Sequence, residues 1–320
     1  MSVGRRSSRK SEKWTIWEGT LQIVDATAKQ RDQDASPVGS TMNPCIAAMH
    51  PYEREFQLEG GSLATLHVPG TAKKVLLLHG NSSCKEVFAA VIPELIAGGH
   101  EVLAIDLPGH GNSSDAQSPD VVYCFPGYAA VVRALLDRLE WNNFIVVGWS
   151  LGGHVALELA ALRPDCSGIM LIGSPPGKPS PEALQEAFIA SGATLLAGKL
   201  EFSEVDAFTY VSQMLGVDDV DPYFLAKARR TDGRARAMMF ASALSGFGID
   251  QRSIITSVHR PVAVVHGANE PFVRLDYLKA LKFGNLWRGS IQILDKVGHA
   301  PHWQDPESFK PLLMDFIDST

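Results

Sequence analysis

Cysteine is scarce in this chain. Its four, Cys45, Cys84, Cys124 and Cys166, fall far apart among 320 residues and form no C-x-x-C pair. That spacing excludes a zinc ribbon or a thioredoxin-like centre and reads as reduced thiols. Long apolar runs are also missing. No stretch approaches the roughly 18 residues of a membrane span, and no apolar segment follows the first charges as it would in a secretory signal. Positive charge is in deficit: 29 Lys and Arg stand against 35 Asp and Glu, a net charge of −6. Such a balance offers no polybasic surface for nucleic acid or an anionic membrane, so neither partner is expected. What is left is a globular chain, 45% hydrophobic, that works on small molecules, with the cytoplasm as its expected place. Nothing in the pattern fixes an oligomeric state.

The first 50 residues have the composition of a flexible extension. Arg5, Arg6, Arg9, Lys10 and Lys13 cluster early, and polar residues follow without a periodic apolar face. Trp14, Ile16 and Trp17 could dock locally. An organellar transit peptide is disfavoured by Glu12 and Glu18, and Met42 and Met49 offer later starts.

From Glu53 onwards strand-like segments recur. Glu53–Leu58 and Leu63–Val68 alternate in polarity, which suits an antiparallel edge. Buried-type runs follow at Lys74–His79, Glu101–Asp106, Phe144–Val147, Ser167–Ile172, Pro261–Val265 and Ser290–Leu294. Helical patterns fill the gaps at about 84–97, 128–139, 151–162, 274–282 and 306–317. Alternation on this scale predicts a mainly parallel eight-stranded sheet flanked by helices, with ligands gathered at the carboxyl ends of the strands. Residues 177–257 break the rhythm. They hold helical patterns and many aromatic residues but no buried strand, and so predict a helical cap inserted into a core made of 51–176 and 258–320.

The run Phe144-Ile-Val-Val-Gly-Trp-Ser150-Leu-Gly-Gly-His154 is a β-branched strand that breaks at glycine, presents a serine and passes at once into a helix. Gly-x-Ser-x-Gly alone arises by chance in roughly one chain in five of this length. Its position between strand and helix is what makes Ser150 a nucleophile candidate. A serine hydroxyl needs an imidazole to take its proton, and that imidazole needs an acid to orient it. Among ten histidines, His299 lies on the loop beyond the last strand and leads as the base; His302 is expected to cap the final helix, and His79, His154 and His266 to be packed core histidines. Glu270, in the loop after the preceding strand, is the candidate acid, with Asp295 its rival. Leu151 N–H and the Asn81 backbone N–H, on the His79-Gly-Asn-Ser turn, are placed to form an oxyanion hole. The Asp106-Leu-Pro-Gly-His-Gly loop is expected to scaffold the site's floor.

Taken together and in this order, these segments resemble the α/β-hydrolase superfamily from about Glu53 to the C-terminus. A closer resemblance is to the α/β-hydrolase-type N-acylhomoserine lactonases, which open the lactone ring of bacterial quorum-sensing signals. It is carried by His79-Gly-Asn-Ser-Ser, Gly148-Trp-Ser-Leu-Gly-Gly-His, Arg230-Thr-Asp-Gly-Arg-Ala-Arg, Asn269-Glu-Pro-Phe-Val and Lys282-Phe-Gly-Asn-Leu-Trp. The resemblance implies a Ser150–His299–Glu270 triad, an oxyanion hole from Asn81 and Leu151, and substrate contacts from Asn81 and the cap residue Tyr210. Trp149, beside the nucleophile, is a third candidate contact. The implied substrate is a small ester or lactone, with no metal or other cofactor: the H-x-H-x-D-H pattern of metal-dependent lactonases is absent from the sequence. The alternatives are a general carboxylesterase and, from another class, a ligand receptor of this fold with residual turnover.

Overall fold

Eight strands build one sheet: β1 (Glu53–Leu58), β2 (Gly61–Val68), β3 (Lys74–Leu78), β4 (Glu101–Ile105), β5 (Phe144–Trp149), β6 (Cys166–Ile172), β7 (Val262–Gly267) and β8 (Gln292–Leu294). The structure, a computed structural model, describes Ile46 and residues 49–320. The spatial order is β1-β2-β4-β3-β5-β6-β7-β8. β1 pairs antiparallel with β2, and β2 antiparallel with β4. From β4 across to β8 every pairing is parallel. The two polarity patterns of the sequence map onto this division. β1 is exposed at Arg54, Glu55 and Gln57 and only partly covered elsewhere, as an edge strand should be, whereas the β-branched and leucine runs of β3, β5 and β7 are covered on both faces.

The chain leaves β3 for β4 on one side and then crosses to β5 on the other. Strand order therefore reverses between β3 and β5, and a crevice opens there at their carboxyl ends. The two loops that flank it carry Asn81 and Ser150.

Helix Leu151–Leu162 has the bounds its sequence predicts. The expected 84–97 helix is instead two pieces, a 3₁₀ turn Lys85–Phe88 and a helix Ile92–Ala97 with Pro93 in its first turn. Proline lacks the N–H that would continue a helix into it but fits an opening turn, so it starts a new one.

Between β6 and β7 the chain runs through six helices, Pro181–Ala187, Gly192–Leu196, Glu204–Leu215, Pro222–Arg230, Gly233–Leu244 and Gln251–Ser257. Each begins at a serine or aspartate, Ser180, Ser191, Ser203, Asp221, Asp232 or Asp250, whose side chain accepts a hydrogen bond from a backbone N–H of the first turn. The one strand-like contact described in this segment is the antiparallel bridge of Phe188 with Val273.

Arg236 anchors the segment from within. Its buried guanidinium donates to the carbonyls of Lys199 (2.8 Å) and Leu200 (3.0 Å) and, more weakly, to Ala228, Thr231 and the Ser82 hydroxyl, while lying 3.9 Å from the Phe202 ring centre. Tyr123 on the core side donates to Asp232 at 2.7 Å, and Arg230 reaches Asp115 and the Ser113 carbonyl. The Arg230-Thr-Asp-Gly-Arg-Ala-Arg run is thus a set of fastenings between this helical segment and the core.

Of the extension expected at 1–50, only Ile46, Met49 and His50 are described. Ile46 and Met49 are buried in the main hydrophobic core, so the chain joins the packed fold earlier than the sequence boundary placed it. Trp14, Ile16, Trp17 and Met42 lie outside the described residues. Among the described residues no helix is long and apolar enough to cross a membrane.

Candidate active site

Ser150 sits at φ 53°, ψ −117° between the end of β5 and helix Leu151–Leu162. A non-glycine residue with positive φ is strained, and the surroundings hold it there. Its N–H donates to the Ile172 carbonyl at 2.8 Å, and its own carbonyl accepts from the Ser174 hydroxyl (2.8 Å) and the Gly153 N–H (3.0 Å). The flanking glycines are required by space. A Cβ on Gly148 would fall 2.4 Å from the Gly152 carbonyl oxygen, and one on Gly152 would fall 2.0 Å from the Leu78 carbonyl oxygen. The sharp turn lifts the serine out of the sheet, and Leu151, as the first residue of the helix, contributes an N–H with no partner inside it.

His299 lies beyond β8, buried, with its Nδ1 at 2.8 and 2.9 Å from the two carboxylate oxygens of Glu270. Glu270 Oε1 also accepts the Phe272 N–H at 2.8 Å. Burial works against the Glu270 charge, but the facing imidazole and these hydrogen bonds outweigh it and hold the carboxyl below its ordinary range. With Nδ1 engaged by the acid, Nε2 is the nitrogen left to take a proton. Asp295, the rival acid, is exposed to solvent.

Ser150, His299, Leu151, Asn81 and Tyr210 all line one cavity of about 850 Å³, whose other walls are largely apolar and include Phe188, Met239 and Phe272. The arrangement holds the parts of acyl transfer: a hydroxyl, a base, an orienting acid and helix N-terminal donors. Tyr210 is buried with its hydroxyl against the Asn81 side chain, and burial pushes its pKa up, so it stays a neutral donor.

Two expectations need correction. Trp149 does not face the cavity. It is fully buried and donates its indole N–H to the His299 carbonyl at 2.8 Å, because residues that neighbour in a strand point to opposite sides. It supports the loop that carries His299. His302 does not cap the last helix; Asp305 does, accepting from Ser308 N–H. His302 is packed between Phe88, Trp149 and Phe309. Burial first, and the nearby His299 second, bring its pKa down to about 3. The Asn81 side chain is in part already committed, donating to the Ala197 carbonyl at 2.9 Å.

The Asp106 loop scaffolds the site. Asp106 is fully buried and accepts from the Lys85 and Asn112 N–H groups and from the Lys85 ammonium, and His79 accepts the Leu107 N–H while bonding the Gly80 carbonyl. These bonds pin the Asn81 turn from behind. Sequence reasoning missed Arg236 and Gln251, whose side chains are buried polar groups in a segment read only for its apolar pattern. The one available signal was the Arg230–Arg236 run.

The profile of the alpha/beta hydrolase family matches residues 75–311. Among solved structures, the chain is similar to the N-acyl homoserine lactonase AidH complexed with N-butanoyl homoserine, at 38% identity and TM-score 0.79, covering 83% of this chain and 96% of that one. Among curated proteins, a pimeloyl-acyl-carrier protein methyl ester esterase of Neisseria meningitidis serogroup B is 28% identical over 78% of this chain and 95% of its own length. An esterase of Mycobacterium tuberculosis is 26% identical over 82% of this chain and 89% of its own. A strained serine at a strand-order reversal, a carboxylate paired with a histidine across the loops after β7 and β8, and a profile match over most of the length lead to one conclusion: this chain belongs to the alpha/beta hydrolase family.

Proposed function

We propose that this protein is a serine hydrolase that opens the lactone ring of N-acylhomoserine lactones, silencing them as signals. The observation that carries the reading is His299, bonded to Glu270 and set in the wall of the same apolar cavity as the strained Ser150. The likeness to AidH across most of both chains favours a lactone over other esters.

In this reading Ser150 Oγ attacks the ring carbonyl as His299 Nε2 takes its proton, and Glu270 steadies the imidazolium that forms. The oxyanion is met by Leu151 N–H and by the Asn81 N–H. Collapse breaks the ring C–O bond, and His299 returns the proton to the departing alkoxide. The new hydroxyl stays tethered to the acyl group. Tethered groups can reach effective molarities of roughly 10⁵ M or more, so ring closure competes with water until the hydroxyl swings aside. Water then attacks the acyl-enzyme through His299 and releases the N-acylhomoserine.

The test is direct. Purified protein incubated with N-hexanoyl homoserine lactone is expected to yield the ring-opened acid, a gain of one water by mass spectrometry. Opening no faster than the spontaneous rate, alongside brisk p-nitrophenyl ester turnover, would leave the second reading, a general carboxylesterase, which the esterases among the relatives favour.

A further inference from the structure

His154 is buried in the wall of the same cavity as Ser150, one helical turn further along helix Leu151–Leu162. Its ring is fixed. It stacks on Phe125 with centroids 4.7 Å apart and planes 12° apart, and its Nδ1 lies 2.8 Å from Gln251 Oε1. The tautomer follows from Gln251. That amide donates through Nε2 to the His154 backbone carbonyl at 3.3 Å, so its oxygen is the end that faces the ring. An amide oxygen only accepts, and His154 Nδ1 must therefore carry the hydrogen. Burial lowers the pKa of the ring against the opposing effect of the Gln251 bond, which keeps it neutral. The remaining ring nitrogen, Nε2, is then a bare acceptor in the cavity wall, where the two rings packed about His154, Phe125 and Phe188, offer it no donor.

We propose that His154 Nε2 is a specificity element that accepts a hydrogen bond from an N–H on the carbon next to the scissile carbonyl, selecting N-acylated α-amino esters and lactones. The proposal rests on the hydrolase reading of Ser150 and deepens the lactonase one. Distance supports it. Residues i and i+4 of a helix share a face and are separated by about 6 Å along its axis. An amide nitrogen two bonds from the carbonyl under attack by Ser150, with one hydrogen bond beyond it, spans that gap. Gln251 is a positioning residue in this scheme, since it decides which ring nitrogen bears the proton.

The experiment compares kcat/KM for two methyl esters, of N-hexanoylalanine and of 2-(hexanoyloxy)propanoic acid, which differ by N–H against O beside the same scissile carbonyl. Wild type is expected to prefer the first by about tenfold or more, the worth of one buried hydrogen bond whose acceptor is otherwise left empty. In His154→Phe the ratio should fall towards one. Gln251→Leu frees the tautomer, so its ratio should fall in part. A wild-type ratio near one overturns the proposal without any variant, and an unchanged ratio in a folded His154→Phe protein overturns it as well. The linear esters also separate this claim from the lactonase reading. A high ratio without lactone opening sinks only that reading, whereas lactone opening with a ratio near one sinks only the role of His154.

Discussion

The indole N–H of Trp149 donates to the carbonyl of His299 at 2.8 Å, so the residue just before Ser150 holds the loop that carries His299. Ser150 and His299 are thereby both positioned by one element, the end of β5. Trp149→Phe keeps the ring's bulk and removes the bond. Because the donor and acceptor are both buried, the loss should cost about 1–3 kcal/mol in urea unfolding. The base loses its fixed register over Ser150, so kcat for a p-nitrophenyl ester should fall about tenfold with KM little changed. A kcat equal to wild type would show that Glu270 alone positions His299.

Ser150→Ala and His299→Ala should each lower kcat by orders of magnitude, on the scale of roughly 10⁶ for members of a triad that acts as a unit. Glu270→Gln should cost less. It still accepts from Phe272 N–H, but it loses the charge that steadies the imidazolium. Steady-state kinetics on a single ester would rank the three, and full activity in Glu270→Gln would move the acid elsewhere.

How much of this was legible in the sequence differs from element to element. β3, β5 and helix Leu151–Leu162 were, because uninterrupted β-branched or leucine runs ending at glycine leave few alternatives. The placement of Ser150, Glu270 and His299 just beyond β5, β7 and β8 was legible as well. Side-chain direction at a strand tip was not. Trp149 and Ser150 are neighbours in sequence, yet one is sealed into the core and the other faces the cavity, and only the path of β5 against β6 decides which. The roles of His154 and His302 were equally hidden. Both adjoin glycine or proline near the site, but one meets Gln251 from a distant helix and the other meets only aromatic rings.

The Glu270 carboxyl also sets a pH dependence. Its folded pKa lies below the unfolded value of about 4.3, so the pair stabilises the protein fully above that value. The contribution is lost as pH falls from there through the folded pKa. Unfolding free energies measured between pH 6 and pH 3 should therefore fall more steeply for wild type than for Glu270→Gln. Parallel curves would mean that acid sensitivity arises at other carboxylates.

Arg236 is a buried cation held by neutral oxygens, and burial lowers its pKa against the attraction of its neighbours. Arg236→Ala removes the guanidinium from four carbonyls and the Ser82 hydroxyl at once. A loss of about 2–4 kcal/mol in denaturant unfolding is expected for so many buried acceptors left unpaired. Lysine cannot reach several acceptors in one plane, so Arg236→Lys should rescue little. Full rescue by lysine would reduce the role of Arg236 to its charge.

The cavity makes a prediction about acyl length. Its volume is about 850 Å³, and its polar groups include the triad end with Asn81, Ser150, Tyr210 and His299, whereas Leu184, Phe188, Ile189, Met214, Met239, Phe240 and Ala243 supply apolar wall. At ~30 Å³ per water-sized group, that space holds far more than a homoserine lactone with a four-carbon chain. Each further methylene that enters leaves water for an apolar wall, worth about 0.8 kcal/mol, or roughly fourfold in kcat/KM if the transition state feels all of it. Activity should thus climb from N-butanoyl through N-decanoyl homoserine lactone and level off once the wall is reached. Ala243 is buried in that wall on helix Gly233–Leu244, and Ala243→Phe should bring the plateau to shorter chains while N-butanoyl turnover changes least. A wild-type profile that peaks at four carbons and declines would show that the acyl chain does not occupy this chamber.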